Sequence, residues 1–302
     1  MSRFVAVLTS LVAVACGSAD GTPDAGSELD GAGYPAPRTD LVPKIGTDNA
    51  LDIGTWNIEN FPRNTSTAAL VADLIASMDL DIIAVQEIED ILAWDELVER
   101  LPDHDGVISP HTYTNGSFQK IGFLYKRDLV ELTEPEMLFT NMGYEFPRPP
   151  FATKATVAGG PDLTLITVHL KAGRDFDDRD RRTLAIEALE THVADVITPV
   201  DPDVLLLGDF NETITSSVPR AVFDPFLDKP DSYHLHTDQL ALEGRFSFVP
   251  SRSILDHLIS SSSLADEFAG SIGQIPPLHV QLVNYENAVS DHLPVVVSMP
   301  IF

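Results

Sequence analysis

From Leu51 onward, short apolar runs alternate with longer stretches in which apolar residues recur every three or four positions. The short runs lie at Leu51–Trp56, Ile82–Gln86, Ile121–Lys126, Ala152–Val157, Leu163–His169, Val204–Gly208, Leu255–Ser260 and Pro294–Met299. They are rich in β-branched residues and bounded by Gly, Pro, Asp or Asn, which predicts strands. Thr65–Met78 carries Leu70, Val71, Leu74 and Ile75 at helical spacing, and Arg179–Ile197 repeats the theme with Leu184, Ile186, Leu189, Val193 and Val196. Both are predicted to be helices that lay one face on a sheet. No segment repeats at a fixed period, so the pattern predicts a single mixed α/β domain over residues 49–302.

Upstream the pattern changes. Arg3 precedes an apolar run, Phe4–Ala15, that is too short to span a bilayer but has the form of an export signal. Ala13-Val14-Ala15-Cys16 resembles the bacterial lipobox, with Ala in place of the usual Leu. That resemblance implies a signal peptide over residues 1–15, acylation of Cys16, and a protein held at the cell envelope, at the outer membrane or cell surface, or else secreted. Residues 16–48 are dominated by Gly, Ser, Asp, Pro and Ala with few large apolar groups, which predicts a flexible tether.

Of the 302 residues, 44% are hydrophobic, enough for one large core. Cys16 is the only cysteine, so no intramolecular disulfide can form. The formal charge is -27, from 19 Lys and Arg against 46 Asp and Glu. Such an excess repels polyanions and anionic membranes, so a polyanionic substrate would need metal ions to approach.

The polar residues at strand ends alter this picture more than the totals do. Asn57, Glu87, His169, Asp209 and Asn211 each fall at or just past the end of an apolar run, and Asp256 falls inside one. Side chains in such places converge on a sheet rim, where α/β folds carry their chemistry. Six segments line up: Trp56-Asn57-Ile58-Glu59-Asn60, Val85-Gln86-Glu87, Thr167-Val168-His169-Leu170-Lys171, Gly208-Asp209-Phe210-Asn211, Ile254-Leu255-Asp256-His257 and Ser290-Asp291-His292-Leu293-Pro294-Val295.

In this order and spacing they resemble the endonuclease/exonuclease/phosphatase superfamily, the DNase I-like proteins, over roughly Leu51–Met299. The resemblance implies an α+β fold, a four-layer α/β/β/α sandwich of two packed mixed sheets flanked by helices. It also implies a phosphoric ester hydrolase that uses Mg²⁺, with Mn²⁺ or Ca²⁺ as substitutes. A carboxylate suits a hard cation, so Glu87 is expected to ligate it, with Asn57 and Asp291 beside it. Asp256 is expected to orient His292, which takes a proton from the attacking water, although Asp209 can equally be that base. Asn211 is expected to donate to a phosphate oxygen, and His169 to stabilise the phosphate or leaving oxygen as an imidazolium. His257, one residue along the strand from Asp256, should face the other way.

Cations are scarce, and Lys171 and Arg174, in the basic run after His169, together with Arg148, are the candidates for holding substrate phosphate. The expected partner is a phosphodiester, with DNA or RNA as the leading choice and an extracellular nuclease as the leading activity. Two alternatives stay open: a phosphatase or phospholipase C-like esterase acting on small phosphates or lipid headgroups, and an inactive surface binding protein that kept the fold. The chain is expected to be a monomer that meets the membrane only through the lipid at Cys16.

Overall fold

The structure is a computed structural model that describes residues 33–214 and 222–301; Cys16, the export signal and the upstream part of the expected tether lie outside the described residues. Twelve strands are described: β1 (Leu51–Phe61), β2 (Ile82–Ile88), β3 (His104–Ile108), β4 (Lys120–Lys126), β5 (Val130–Met137), β6 (Phe151–Val157), β7 (Asp162–His169), β8 (Val204–Asp209), β9 (Tyr233–Leu235), β10 (Asp256–Ser261), β11 (Ile272–Gln274) and β12 (Val295–Met299). They form two six-stranded sheets, ordered β11-β12-β1-β2-β4-β3 and β5-β6-β7-β8-β10-β9. Each sheet is mixed, with β1 parallel to β2 in the first and β7 parallel to β8 in the second.

The two sheets face each other, with β1 against β8 and β10, and β2 against β7 and β8. Strand alternation supplies the filling. Leu163 and Leu165 of β7, Leu205 and Leu207 of β8 and Leu258 of β10 enter the core shared with the first sheet. Their neighbours Ile166, Val168, Val204, Leu206 and Ile259 enter a second core on the outer face. Helix α3 (Phe176–His192) closes that outer core with Ala185, Ile186 and Leu189. Helices α1 (Thr67–Met78) and α2 (Ile91–Glu99) cover the first sheet, through Val71, Leu74, Ile75 and Leu97. The result is the four-layer sandwich that the resemblance implied.

All eight expected strands are present. The four others are short or polar: β5 reads Val-Glu-Leu-Thr-Glu-Pro-Glu-Met and is mostly exposed, while β9 and β11 have three residues each. Helix α3 starts at Phe176, upstream of the expected Arg179, because Asp175 and Asp178 form a reciprocal capping box. It runs on into a π-helical turn, Val193–Ile197.

The expected boundary at residue 49 is too late. The Arg38 N–H donates to Asp73 Oδ1 at 2.9 Å, the Leu41 N–H to Ser77 Oγ at 3.0 Å, and the N–H groups of Ile45 and Gly46 to the Met78 carbonyl. Val42 is buried in the first core. Residues 38–46 are therefore a strap on the C-terminal half of α1. Among the described residues, no helix is long and apolar enough to cross a membrane.

Candidate active site

The site begins with three adjacent strands at one level. His169 is the register partner of Asp209 across the parallel pair β7 and β8, and Asp256 is the partner of Asp209 across the antiparallel pair β8 and β10. Each shares parity with the leucines between the sheets, so all three side chains point into the sandwich at its rim. His257 takes the opposite parity, as expected. It is buried on the outer side between Phe210 and Phe223, bonded to the Thr237 hydroxyl and the Glu212 carbonyl.

Gly208 sets the spacing of this row. Its φ is +152°, and a Cβ added there would lie 2.1 Å from the Val168 carbonyl oxygen. Only a residue without a side chain lets β7 and β8 approach so closely one position before Asp209.

The facing sheet supplies Asn57 and Glu87. Asn57 follows the alternation of β1, and its amide Nδ2 donates to Asp209 Oδ2 at 2.9 Å and to Glu87 Oε1 at 3.0 Å, drawing the two sheets together. Glu87 breaks the alternation of β2. Its φ is +67°, at a point where the pairing of β2 with both neighbours shifts, and this bulge turns its carboxylate to the same side as Gln86. Glu59, Asn60 and Asn211 also have positive φ, so left-handed backbone gathers around the site, where strain is commonly stored.

His292 arrives on the loop before β12. Its Nδ1 lies 2.8 Å from Asp256 Oδ2, and its carbonyl accepts from the Trp56 indole N–H and the Tyr285 hydroxyl. The Ser290 hydroxyl donates to the Asn57 carbonyl and accepts from the His292 N–H, which pins the loop to β1. Phe248 packs its ring on the imidazole at 4.9 Å. His292 Nε2 is thereby left 3.9 Å from both Asp209 Oδ2 and Asp291 Oδ1, and His169 Nε2 lies 3.6 Å from both Glu87 Oε1 and Asp209 Oδ2. These gaps exceed a direct hydrogen bond of about 2.8 Å, yet one bridging oxygen at that distance from each side spans them.

Burial sets the charges. Although burial alone opposes it, the carboxylates of Asp256, Asp209 and Asp291 push the His292 pKa up to about 10, so at neutral pH it is an imidazolium. Burial pushes Asp209 up to about 7, with His292 pulling the other way. His169 does not meet its expected charge state: burial, helped by Arg148 and His292, holds it well below the usual histidine value, and it is a neutral imidazole.

Asp291, Glu87 and Asn57 do come together. Asp291 is raised by burial and by the charge of Glu87, against the pull of His292. The amide oxygen of Asn57, however, accepts from the Glu59 N–H, so its donors and not its oxygen face the centre. Asn211 likewise uses its amide on Asp209 Oδ2 and the Leu170 carbonyl, and its backbone N–H on Asp209 Oδ1, which makes it a holder of Asp209.

The expected phosphate-binding cations are mostly engaged elsewhere. Arg148 donates to the carbonyls of His169 and Leu170 and to Gln119, bracing the end of β7. Lys171 pairs with Asp178 at 2.7 Å. Arg174 is exposed.

Glu59 is the residue whose role the sequence reading missed. Its Oε2 accepts from the Asp291 N–H at 2.8 Å while Oε1 meets Arg63. Burial, with the charges of Asp291 and Glu87, pushes its carboxyl up to about 7. Its signal was its place two positions after Asn57 in the motif that carried the resemblance.

The donor set suits a divalent cation. Ligand atoms of Glu87, His169 and Asp209 lie within 4.8 Å of one another, and Glu59 and Asp291 add two carboxyls whose mutual repulsion a cation would relieve. Carboxyls raised to about 7 keep protons that the unfolded chain has released above about pH 4. Stability without a cation is thus lost as pH rises through 7, and a cation bound beside Glu59 that competes with its proton restores more of it above pH 7. Mg²⁺ or Mn²⁺ is expected to raise the melting temperature more at pH 8 than at pH 5. A thermal titration reads this, and an increment that ignores pH would exclude these carboxyls as the binding groups.

Comparison with known proteins agrees with this geometry. The model of the endonuclease/exonuclease/phosphatase family matches residues 54–292. A deoxyribonuclease of Thioalkalivibrio sp. (strain K90mix) is 26% identical over 167 residues, a stretch covering 53% of this chain and 46% of that protein, so the match spans under half the relative's length. Among solved structures, D. rerio TDP2 complexed with a single-strand DNA product superposes with a TM-score of 0.60 at 16% identity, covering 83% of this chain and 99% of that one. The human Nocturnin catalytic domain with bound sulfate gives 0.62 at 16% identity over 87% and 98%, and a mannosyl-6-phosphatase of Bacteroides thetaiotaomicron gives 0.57 at 17% over 82% and 98%. At these identities the likeness shows a shared fold.

Proposed function

This chain belongs to the endonuclease/exonuclease/phosphatase family of metal-dependent phosphoric ester hydrolases, and from that premise we propose that it is a phosphodiesterase that cleaves nucleic acid with Mg²⁺ as its working ion. The observation that carries the reading is the buried line Asp256, His292, Asp209, tied through Asn57 to Glu87. The relative named a deoxyribonuclease and the neighbour solved with a DNA product support the choice of nucleic acid.

The roles follow from the charges. Glu87, with Glu59 and Asp291 alongside, would hold a divalent cation, which when bound would supply neutralisation of phosphate charge. Asp256 fixes the His292 ring, whose imidazolium donates from Nε2 to a phosphate oxygen in the gap beside Asp209. Asp209, near 7, is the better match for taking a proton from the attacking water, since His292 already carries one at neutral pH. Asn57 and Asn211 hold Asp209 in place, and neutral His169 faces the same centre.

Incubating the protein with plasmid DNA, RNA and bis(p-nitrophenyl) phosphate tests the reading. Cleavage of polymer and diester with Mg²⁺ or Mn²⁺, stopped by chelator, is the expected result. Intact polymer at saturating metal, with release of inorganic phosphate from sugar phosphates, would favour the phosphatase reading that the mannosyl-6-phosphatase neighbour suggests. Export and acylation at Cys16 complete the proposal, and incorporation of labelled palmitate into the cysteine reads that part directly.

A further inference from the structure

Beside the catalytic centre, on the side of Asn211, a cavity of about 550 Å³ opens between the loops that follow β7 and β8 and the turn that leads into β10. Asn211, Thr213, Phe248, Ser253, Arg182 and Arg174 line it. Two of these walls belong to the catalytic centre as well: Asn211 holds Asp209, and Phe248 carries the ring of His292. Whatever sits in the cavity therefore lies against two residues that also touch the catalytic pair.

The two arginines differ. Arg182 is buried, and Glu212 and the carbonyls of Lys171 and Gly173 engage its guanidinium. Its charge is matched inside the protein. Arg174 stands exposed at the cavity and makes no hydrogen bond or ion pair among the described residues. The other cations of this stretch have partners: Lys171 has Asp178, Arg179 has Glu212, and Arg181 has the Tyr144 carbonyl and ring. In a chain of net charge -27, an unmatched guanidinium beside a cavity that joins the centre marks a place for an anion.

The volume falls in the range that encloses one drug-sized group, and a nucleotide unit is of that size. An aromatic wall and hydroxyls accept a base and sugar, and the guanidinium accepts a phosphate. Resting on the nucleic-acid reading above, we propose that this cavity is the subsite for the nucleotide adjoining the scissile phosphate, with Arg174 holding the next phosphate along the strand. The substrate class is then an oligonucleotide carrying at least two phosphates, in preference to an isolated phosphodiester or a phosphomonoester. Arg174 acts as a specificity residue outside the reacting atoms.

The test compares kcat/KM for a short oligothymidylate with kcat/KM for bis(p-nitrophenyl) phosphate, which has one phosphate only, in wild type, Arg174→Gln and Arg174→Lys. The oligonucleotide-to-diester ratio is expected to fall about tenfold in Arg174→Gln, through KM, and to recover in large part in Arg174→Lys. An unchanged ratio in Arg174→Gln overturns the subsite while leaving the nuclease reading standing. Wild type that cleaves the diester and spares the oligonucleotide overturns both the subsite and the choice of nucleic acid. Wild type that cleaves neither removes the phosphodiesterase reading and the subsite with it.

Discussion

Replacing His292 by Asn is expected to lower kcat for phosphodiester hydrolysis by about a thousandfold while leaving the fold intact. The ring donates or accepts only at Nε2, because Nδ1 is taken by Asp256 and the backbone is fixed by Trp56, Tyr285 and Ser290. Asparagine can keep the contact to Asp256 but cannot place a charged donor in the gap beside Asp209. The pH profile separates this loss from general damage. In the wild type, activity should rise as pH climbs through about 7, where Asp209 loses its proton, and fall through about 10, where His292 loses its own. The residual activity of His292→Asn should lose the upper limb and show the lower one moved to higher pH, because no imidazolium then pulls Asp209 down. An unchanged upper limb would move that titration to another group and return His292 to the role of base.

Gly208→Ala is expected to destabilise the fold by about 3 kcal/mol, with activity impaired even below the new melting temperature. The added methyl meets a backbone carbonyl, not a side chain that could swing away, and the φ of +152° is strained for any residue with a Cβ. Relief requires β7 and β8 to separate where His169 and Asp209 face each other, which widens the 3.6 Å gap between them. Urea unfolding gives the stability change directly. A wild-type midpoint would mean that the strands part at no cost and that their spacing is not what holds the row together.

Much of the site could be read from periodicity because most of it obeys periodicity. His169, Asp209 and Asp256 continue the alternation that puts leucines between the sheets, and their alignment on three neighbouring strands follows from that parity once the strands pair. Glu87 was found from its motif and not from its pattern, since a bulge with left-handed backbone turns it against the alternation of β2. The charge states were not legible at all. Full burial drives His169 down and three carboxylates drive His292 up, and neither environment exists until β8, β10 and the loop before β12 have met. The same holds for the cations: Lys171 and Arg148 differ from Arg174 only in the acids and carbonyls that the fold brings to them. The late domain boundary has a local cause. Leu41, Val42 and Ile45 pack against the first core while backbone groups of residues 38–46 bond to α1, and three apolar groups in so short a stretch leave no periodic trace.

The strap also sets how far the chain's N-terminal side lies from the site. It joins the body at the start of β1, and Asn57 lies six residues further along that strand, roughly 20 Å away at the ordinary rise per residue. Under the acylation proposed for Cys16, the mooring would reach the body at the end of β1 away from Asn57 and leave the cutting edge clear for polymer.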